Sequence, residues 1–156
     1  NDGKAGFTRR GLYPAGQSPV TVACADVDSD GKKDLVAANH AAHTISVLRN
    51  EGAAGFGAAA VFHGVKAPYA IAAADFDGDG GGDFAVAGYG SNDVAVFSGG
   101  GSWQHGLPML FRSGPQPLGL AAGDLDGDGR PDLAVLSERA GEVWVLRNES
   151  MAVDRR

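Results

Sequence analysis

The sequence predicts an all-β fold of the β-propeller type, with three four-stranded blades in the chain. Three observations predict it. The chain repeats itself, because Asp26, Asp75 and Asp124 head near-identical segments 49 residues apart. Each repeat holds four short apolar or alternating runs. No stretch carries the 3.6-residue period of an amphipathic helix. Four strands in some 40–50 residues is the proportion of one propeller blade.

The first unit shows the elements in order. Residues 20–25 form an apolar run that ends at an Asp-rich loop, and residues 35–39 leave that loop. Residues 45–49 alternate, with Ile45 and Val47 expected inward and Ser46 outward. Residues 56–62, more polar, supply the fourth strand. The first strand of every unit is rich in small residues, such as Ala23 and Ala25, Ala72 and Ala73, Ala121 and Ala122. Small side chains suit a crowded position, as where strands converge on a common axis.

The repeat divides the chain into a three-blade array over residues 1–148, in units 1–49, 50–98 and 99–147, with a polar tail at 149–156. Pro19, Pro68 and Pro117 align, as do Val47, Val96 and Val145. In this phasing residues 6–13 are a spare fourth strand, and the last blade, ending in the strand at 143–147, lacks its own.

Composition narrows the function. With 156 residues and 44% hydrophobic content the chain can bury a core. A net charge of −6 argues against a nucleic-acid partner. No apolar run approaches the ~20 residues of a membrane span, so membrane insertion is not expected. Glycine, at 25 residues, is about twice its usual share of ~7% and is assigned to tight turns. The single cysteine, Cys24, excludes an intrachain disulfide. Its counterparts Ala73 and Ala122 mark it as a small buried residue.

The chemistry lies in the Asp-rich loops. Each reads Asp-x-Asp-x-Asp-Gly-x-x-Asp: Asp26, Asp28, Asp30 and Asp34; Asp75, Asp77, Asp79 and Asp83; Asp124, Asp126, Asp128 and Asp132. Four carboxylates within nine residues repel one another, and a hard divalent cation relieves the conflict. Calcium accepts 6–8 oxygen ligands, so three calcium ions per chain are expected, one per loop. The backbone carbonyls of Lys32, Gly81 and Arg130 complete the expected ligand sets. Gly31, Gly80 and Gly129 allow the sharp turn after the third carboxylate. Magnesium resists dehydration, and zinc would call for His or Cys. The loop is no EF-hand, because Ala37, Val86 and Val135 stand where that loop needs Glu.

The run of Asp loop, apolar strand such as Asp132-Leu133-Ala134-Val135-Leu136, and then Val143-Trp144-Val145-Leu146-Arg147-Asn148 resembles the FG-GAP/VCBS repeat. Gly55-Phe56-Gly57 matches that family's Phe-Gly element, and all twelve Asp positions fit its metal motif. The resemblance covers residues 1–148. It implies calcium-binding propeller blades like those of bacterial surface and secreted proteins and of integrin α-chain heads.

No catalytic constellation emerges. His40, His43, His63 and His105 do not recur between units, and His40 and His43 are expected in an exposed turn. The expected function is therefore a non-catalytic, calcium-binding extracellular module for binding or adhesion, secreted or at the cell surface, with a glycan or a surface protein as ligand. The alternative is a carbohydrate-binding lectin on the same scaffold, for which Tyr69, Tyr89, Trp103 and Trp144 are the aromatic candidates. An accessory domain of a secreted enzyme is a third reading. Three blades leave two open flanks, so a homodimer is expected, joined head to tail into a six-bladed ring with residues 6–13 of each chain completing the other's last blade.

Overall fold

A computed structural model describes residues 6–100 and 107–149. The expectations that fall on Trp103, on His105 and on residues 150–156 of the tail lie outside the described residues.

The chain folds into three antiparallel sheets. The first has the order β1 (Pro19–Ala25), β2 (Asp34–Asn39), β3 (Thr44–Leu48), β4 (Ala60–Phe62). The second is β5 (Pro68–Ala74), β6 (Asp83–Gly88), β7 (Asp93–Phe97), β8 (Met109–Arg112). The third holds β9 (Pro117–Gly123), β10 (Asp132–Ser137) and β11 (Glu142–Leu146), with β10 in the middle. One 3-10 turn, Gly52–Ala54, is the only helical element among the described residues.

The repeat holds at the level of single backbone pairs. Leu35 faces Leu48, Phe84 faces Phe97 and Leu133 faces Leu146. The register of each first strand slips just after its opening proline. A proline has no N–H for the ladder, so the irregularity sits at the strand start, where it costs least. Ser18, Ala67 and Gln116, one residue before each proline, share a positive φ of 52°, 49° and 53°.

The second sheet lies between the other two, and its strands divide their side chains between two cores. Phe84, Val86, Ala95 and Phe97 pack with Val27, Val36, Ile45 and Val47 of the first repeat. Ala72, Ala85, Val94 and Val96 pack with Leu133 and Val135 of the third. Covered on both faces, β6 is buried at every position. That explains its unbroken Phe-Ala-Val-Ala-Gly run. The small-residue strands β1, β5 and β9 run beside one another, where bulkier side chains would hold the sheets apart.

Five expectations are corrected. Residues 6–13 form no strand: they are exposed coil and enter no ladder. The fourth strand is shorter than residues 56–62; Phe56 makes only an isolated bridge to Asn50, and pairing resumes at Ala60. Ser46 does not face solvent. The segment before β1 covers that side of the sheet, and the buried Ser46 hydroxyl donates to the Ala15 carbonyl (2.5 Å) and accepts from Asn39 Nδ2 (2.9 Å). Cys24 is exposed, because it belongs to the outer face of the first sheet, which no other sheet covers. His40 lies in the expected turn between β2 and β3 but is half-buried there against the rings of Tyr69 and Tyr89, whereas His43 in the same turn is exposed.

Candidate functional site: three carboxylate loops

Each Asp loop joins the first and second strands of its sheet, and backbone N–H groups donating to its own carboxylates shape it. In the second repeat the Asp75 carboxylate accepts from Gly78 N and Asp79 N through Oδ1 and from Gly80 N through Oδ2 (2.8, 3.1 and 3.0 Å). Asp124 repeats this with Gly127, Asp128 and Gly129 (2.7, 3.2 and 2.9 Å). Asp26 accepts from Asp30 N and Gly31 N (3.0 and 2.9 Å). The turn requires a left-handed residue, and Gly31, Gly80 and Gly129 supply it at φ of 84°, 86° and 84°.

The loops bring three of their four carboxylates together. Asp26, Asp28 and Asp34 offer oxygens within 4.8 Å of one another, as do Asp75, Asp77 and Asp83, and Asp124, Asp126 and Asp132. Asp30, Asp79 and Asp128 stand aside, each accepting from the N–H two residues on: Lys32 (2.9 Å), Gly81 (2.6 Å) and Arg130 (2.9 Å).

The last Asp of each loop is buried and also holds the fold together. Asp34 accepts from Val27 N (3.1 Å) and Asn50 N (2.8 Å). Asp83 accepts from Phe76 N (2.7 Å), Asp77 N (3.2 Å) and Gly99 N (2.6 Å). Asp132 accepts from Leu125 N (3.0 Å) and Asn148 N (2.8 Å). One carboxylate thus ties the loop to the chain leaving the third strand. Sequence reasoning cast these residues only as site-closing ligands; their second task appears because the antiparallel return of the third strand places that N–H beside them.

Burial pushes Asp34 and Asp83 above the usual carboxylate range, against the pull of their N–H donors and with neighbouring carboxylates adding to the rise. Asp132 is held below that range by the N–H groups of Asn148 and Leu125, with Arg147 and Arg130 assisting against burial. Asp30 is lowered chiefly by its bond to the Lys32 ammonium.

Basic side chains reach the outer loops, and sequence reasoning missed them. Arg49 pairs with Asp28, Lys32 with Asp30 (2.5 Å), Arg147 with Asp126 and Arg130 with Asp128. Lys32 and Arg130 enter the expected ligand sets only through their carbonyls. The signal was present in the repeat: positions 32 and 130 are basic, as are 49 and 147, while the middle repeat has Gly81 and Ser98.

Consecutive loops are also joined across sheets. The Asp26 carbonyl accepts from Gly82 N (2.9 Å) and the Val27 carbonyl from Gly100 N (3.1 Å). At the next junction the Phe76 carbonyl accepts from Asn148 Nδ2 (2.8 Å), and Pro131, in place of Gly82, has no N–H to give.

The aromatic candidates lie elsewhere. Tyr69, Tyr89 and His40 pack on one another at the opposite ends of the strands, with ring centroids 5.7–6.0 Å apart. Trp144 stands on β11 and donates from Nε1 to Glu142 (3.1 Å). His43 accepts from Ala67 N through Nδ1 (2.9 Å), a contact between sheets, and His63 is exposed.

A family model described as FG-GAP-like repeat matches residues 26–86 and again 75–135. Each match begins at an Asp loop and runs through the next loop into the strand beyond it. No curated protein matches the chain.

Proposed function

The chain belongs to the FG-GAP-like repeat family, and we propose on that premise that it is a calcium-binding, non-catalytic module for binding or adhesion. One observation carries the reading: the same three carboxylates converge in the same loop three times over. The donor set fits calcium, being oxygen only, with hard anionic ligands on a loop that can adjust to a large ion. In the first loop Asp26, Asp28, Asp30, Asp34 and the Lys32 carbonyl would hold it. The corresponding residues of the second loop are Asp75, Asp77, Asp79, Asp83 and the Gly81 carbonyl, and those of the third are Asp124, Asp126, Asp128, Asp132 and the Arg130 carbonyl. The bound ion supplies charge neutralisation, and so pins the connection between first and second strands.

The protein works outside the cytosol, secreted or at the cell surface, where calcium reaches the ~10⁻⁴–10⁻³ M that extracellular sites use. Among the described residues no helix is long and apolar enough to cross a membrane. The three sheets are blades of a propeller, and the ring is closed by a second copy. Val20 and Val22 on the first sheet and Leu136, Val143 and Val145 on the third are exposed apolar residues on outer flanks. The exposed segment 6–13 pairs along the free edge of the partner's β11, giving six blades in all.

Isothermal titration of metal-free protein with calcium tests the central reading. Three ions per chain are expected, and excess chelator should lower the melting temperature; fewer than two ions, or an unchanged melt, overturns it.

A further inference from the structure

The three loops carry identical carboxylates but different surroundings. Around Asp26, Asp28, Asp30 and Asp34 stand Lys32 and Arg49, each in an ion pair with the loop. Around Asp124, Asp126, Asp128 and Asp132 stand Arg130 and Arg147, likewise paired. The middle loop has Gly81 and Ser98 at those positions. Among the described residues no cationic side chain pairs with Asp75, Asp77, Asp79 or Asp83.

This difference acts twice on a cation. The basic side chains relieve carboxylate repulsion in the metal-free loop, so the ion has less repulsion left to remove. Once the ion is bound, they stand near a double positive charge and repel it. The middle loop gains the full relief and meets no repulsion. Resting on the calcium reading above, we propose that the sites are graded. The middle loop binds calcium at least about tenfold more tightly than the outer two, a difference of about 1.4 kcal/mol. Lys32, Arg49, Arg130 and Arg147 are affinity-lowering residues that hold the outer sites for higher calcium. The protein then fills in two steps. The first ion secures the loop of the sheet that faces both cores, and the next two secure the flanking sheets.

The experiment follows the backbone amide resonances of Gly31, Gly80 and Gly129 through a calcium titration of the whole chain. Each amide donates to the first Asp of its own loop, so each reports one site. Gly80 is expected to saturate first, at a free calcium concentration about tenfold or more below the others. Ser98→Arg, at an exposed position, should move the Gly80 midpoint upward about threefold or more. Arg49→Ser should move the Gly31 midpoint downward and leave Gly80 in place. By calorimetry, Asp75→Asn should remove the tightest step, while Asp26→Asn and Asp124→Asn keep it. Three coincident midpoints with calcium bound, or a tightest step that survives Asp75→Asn, overturn the grading and leave the calcium reading intact. Amides that do not respond at millimolar calcium overturn both.

Discussion

Asp83 shows how one residue serves fold and site together. It is fully buried and accepts three backbone N–H bonds. Removing such an acceptor leaves buried donors without partners, at about 1–3 kcal/mol. Asp83→Ala is expected to cost at least about 3 kcal/mol in urea unfolding with chelator present, where no ion can contribute. Asp79→Ala, which removes an exposed carboxylate, should cost far less under the same conditions. Equal losses would contradict the division between the tying Asp and the loop-surface Asp. Gly80 is a second test at this scale. Its φ of 86° lies where a Cβ is penalised, although nothing within 4 Å would meet one. Gly80→Ala should therefore cost about 1–2 kcal/mol from backbone strain alone, read from the shift in melting temperature.

Among the elements, the two junctions between sheets are built on one plan with different side chains. Between the first and second sheets Phe84 and Phe97 stack at a centroid distance of 4.9 Å, and Phe62 meets Phe97 edge-on at 6.3 Å. At the corresponding positions between the second and third sheets stand Leu133, Leu146 and Phe111. The smaller leucines leave an apolar cleft of about 380 Å³, lined also by Phe76, Val96 and Met109. A Phe at position 146 would restore the packing of the first junction. Leu146→Phe is expected to stabilise the protein by about 1 kcal/mol, seen as a higher urea midpoint. The reverse exchange, Phe97→Leu, should destabilise by about 1–2 kcal/mol because it opens a cavity in a core that is now full. A destabilised Leu146→Phe would show that the cleft is not free to accept a ring.

For the whole molecule, the proposed dimer rests on the open flanks of the first and third sheets. Val22, Val143 and Val145 are each more than half exposed, on the faces of the first and third sheets turned away from the two cores. The proposed dimer would cover these residues, and large exposed apolar patches are a common mark of interaction sites. Light scattering in calcium buffer is expected to give the mass of two chains, and deletion of residues 6–13 should return one. A single-chain mass for the intact protein would sink the six-bladed ring and leave the flanks to further repeats of a longer chain.

The repeat, the short strands of each unit and the twelve carboxylates are legible in the residues alone. These are local: a strand is signalled by its own apolar run, and a loop by its own Asp and Gly residues. Which faces lie inside depends on how the sheets and the segment before β1 pack. Period-two alternation cast Ser46 as outward, yet the segment before β1 lies over that face of the first sheet, and the Ser46 hydroxyl finds its partners in Ala15 and Asn39. Residues 6–13 read as a strand because they copy residues 55–62, but a strand is defined by its ladder, and these residues enter none. The second role of Asp34, Asp83 and Asp132 was likewise hidden. Asn50, Gly99 and Asn148 lie 16 positions further on, and the antiparallel return of the third strand brings each to its carboxylate. The unequal charge of the three loops was written in the repeat, at positions 49, 98 and 147. It acquired meaning only when that same return placed Arg49 on Asp28 and Arg147 on Asp126. Short-range pattern sets the elements, and long-range pairing sets the surroundings of each charge.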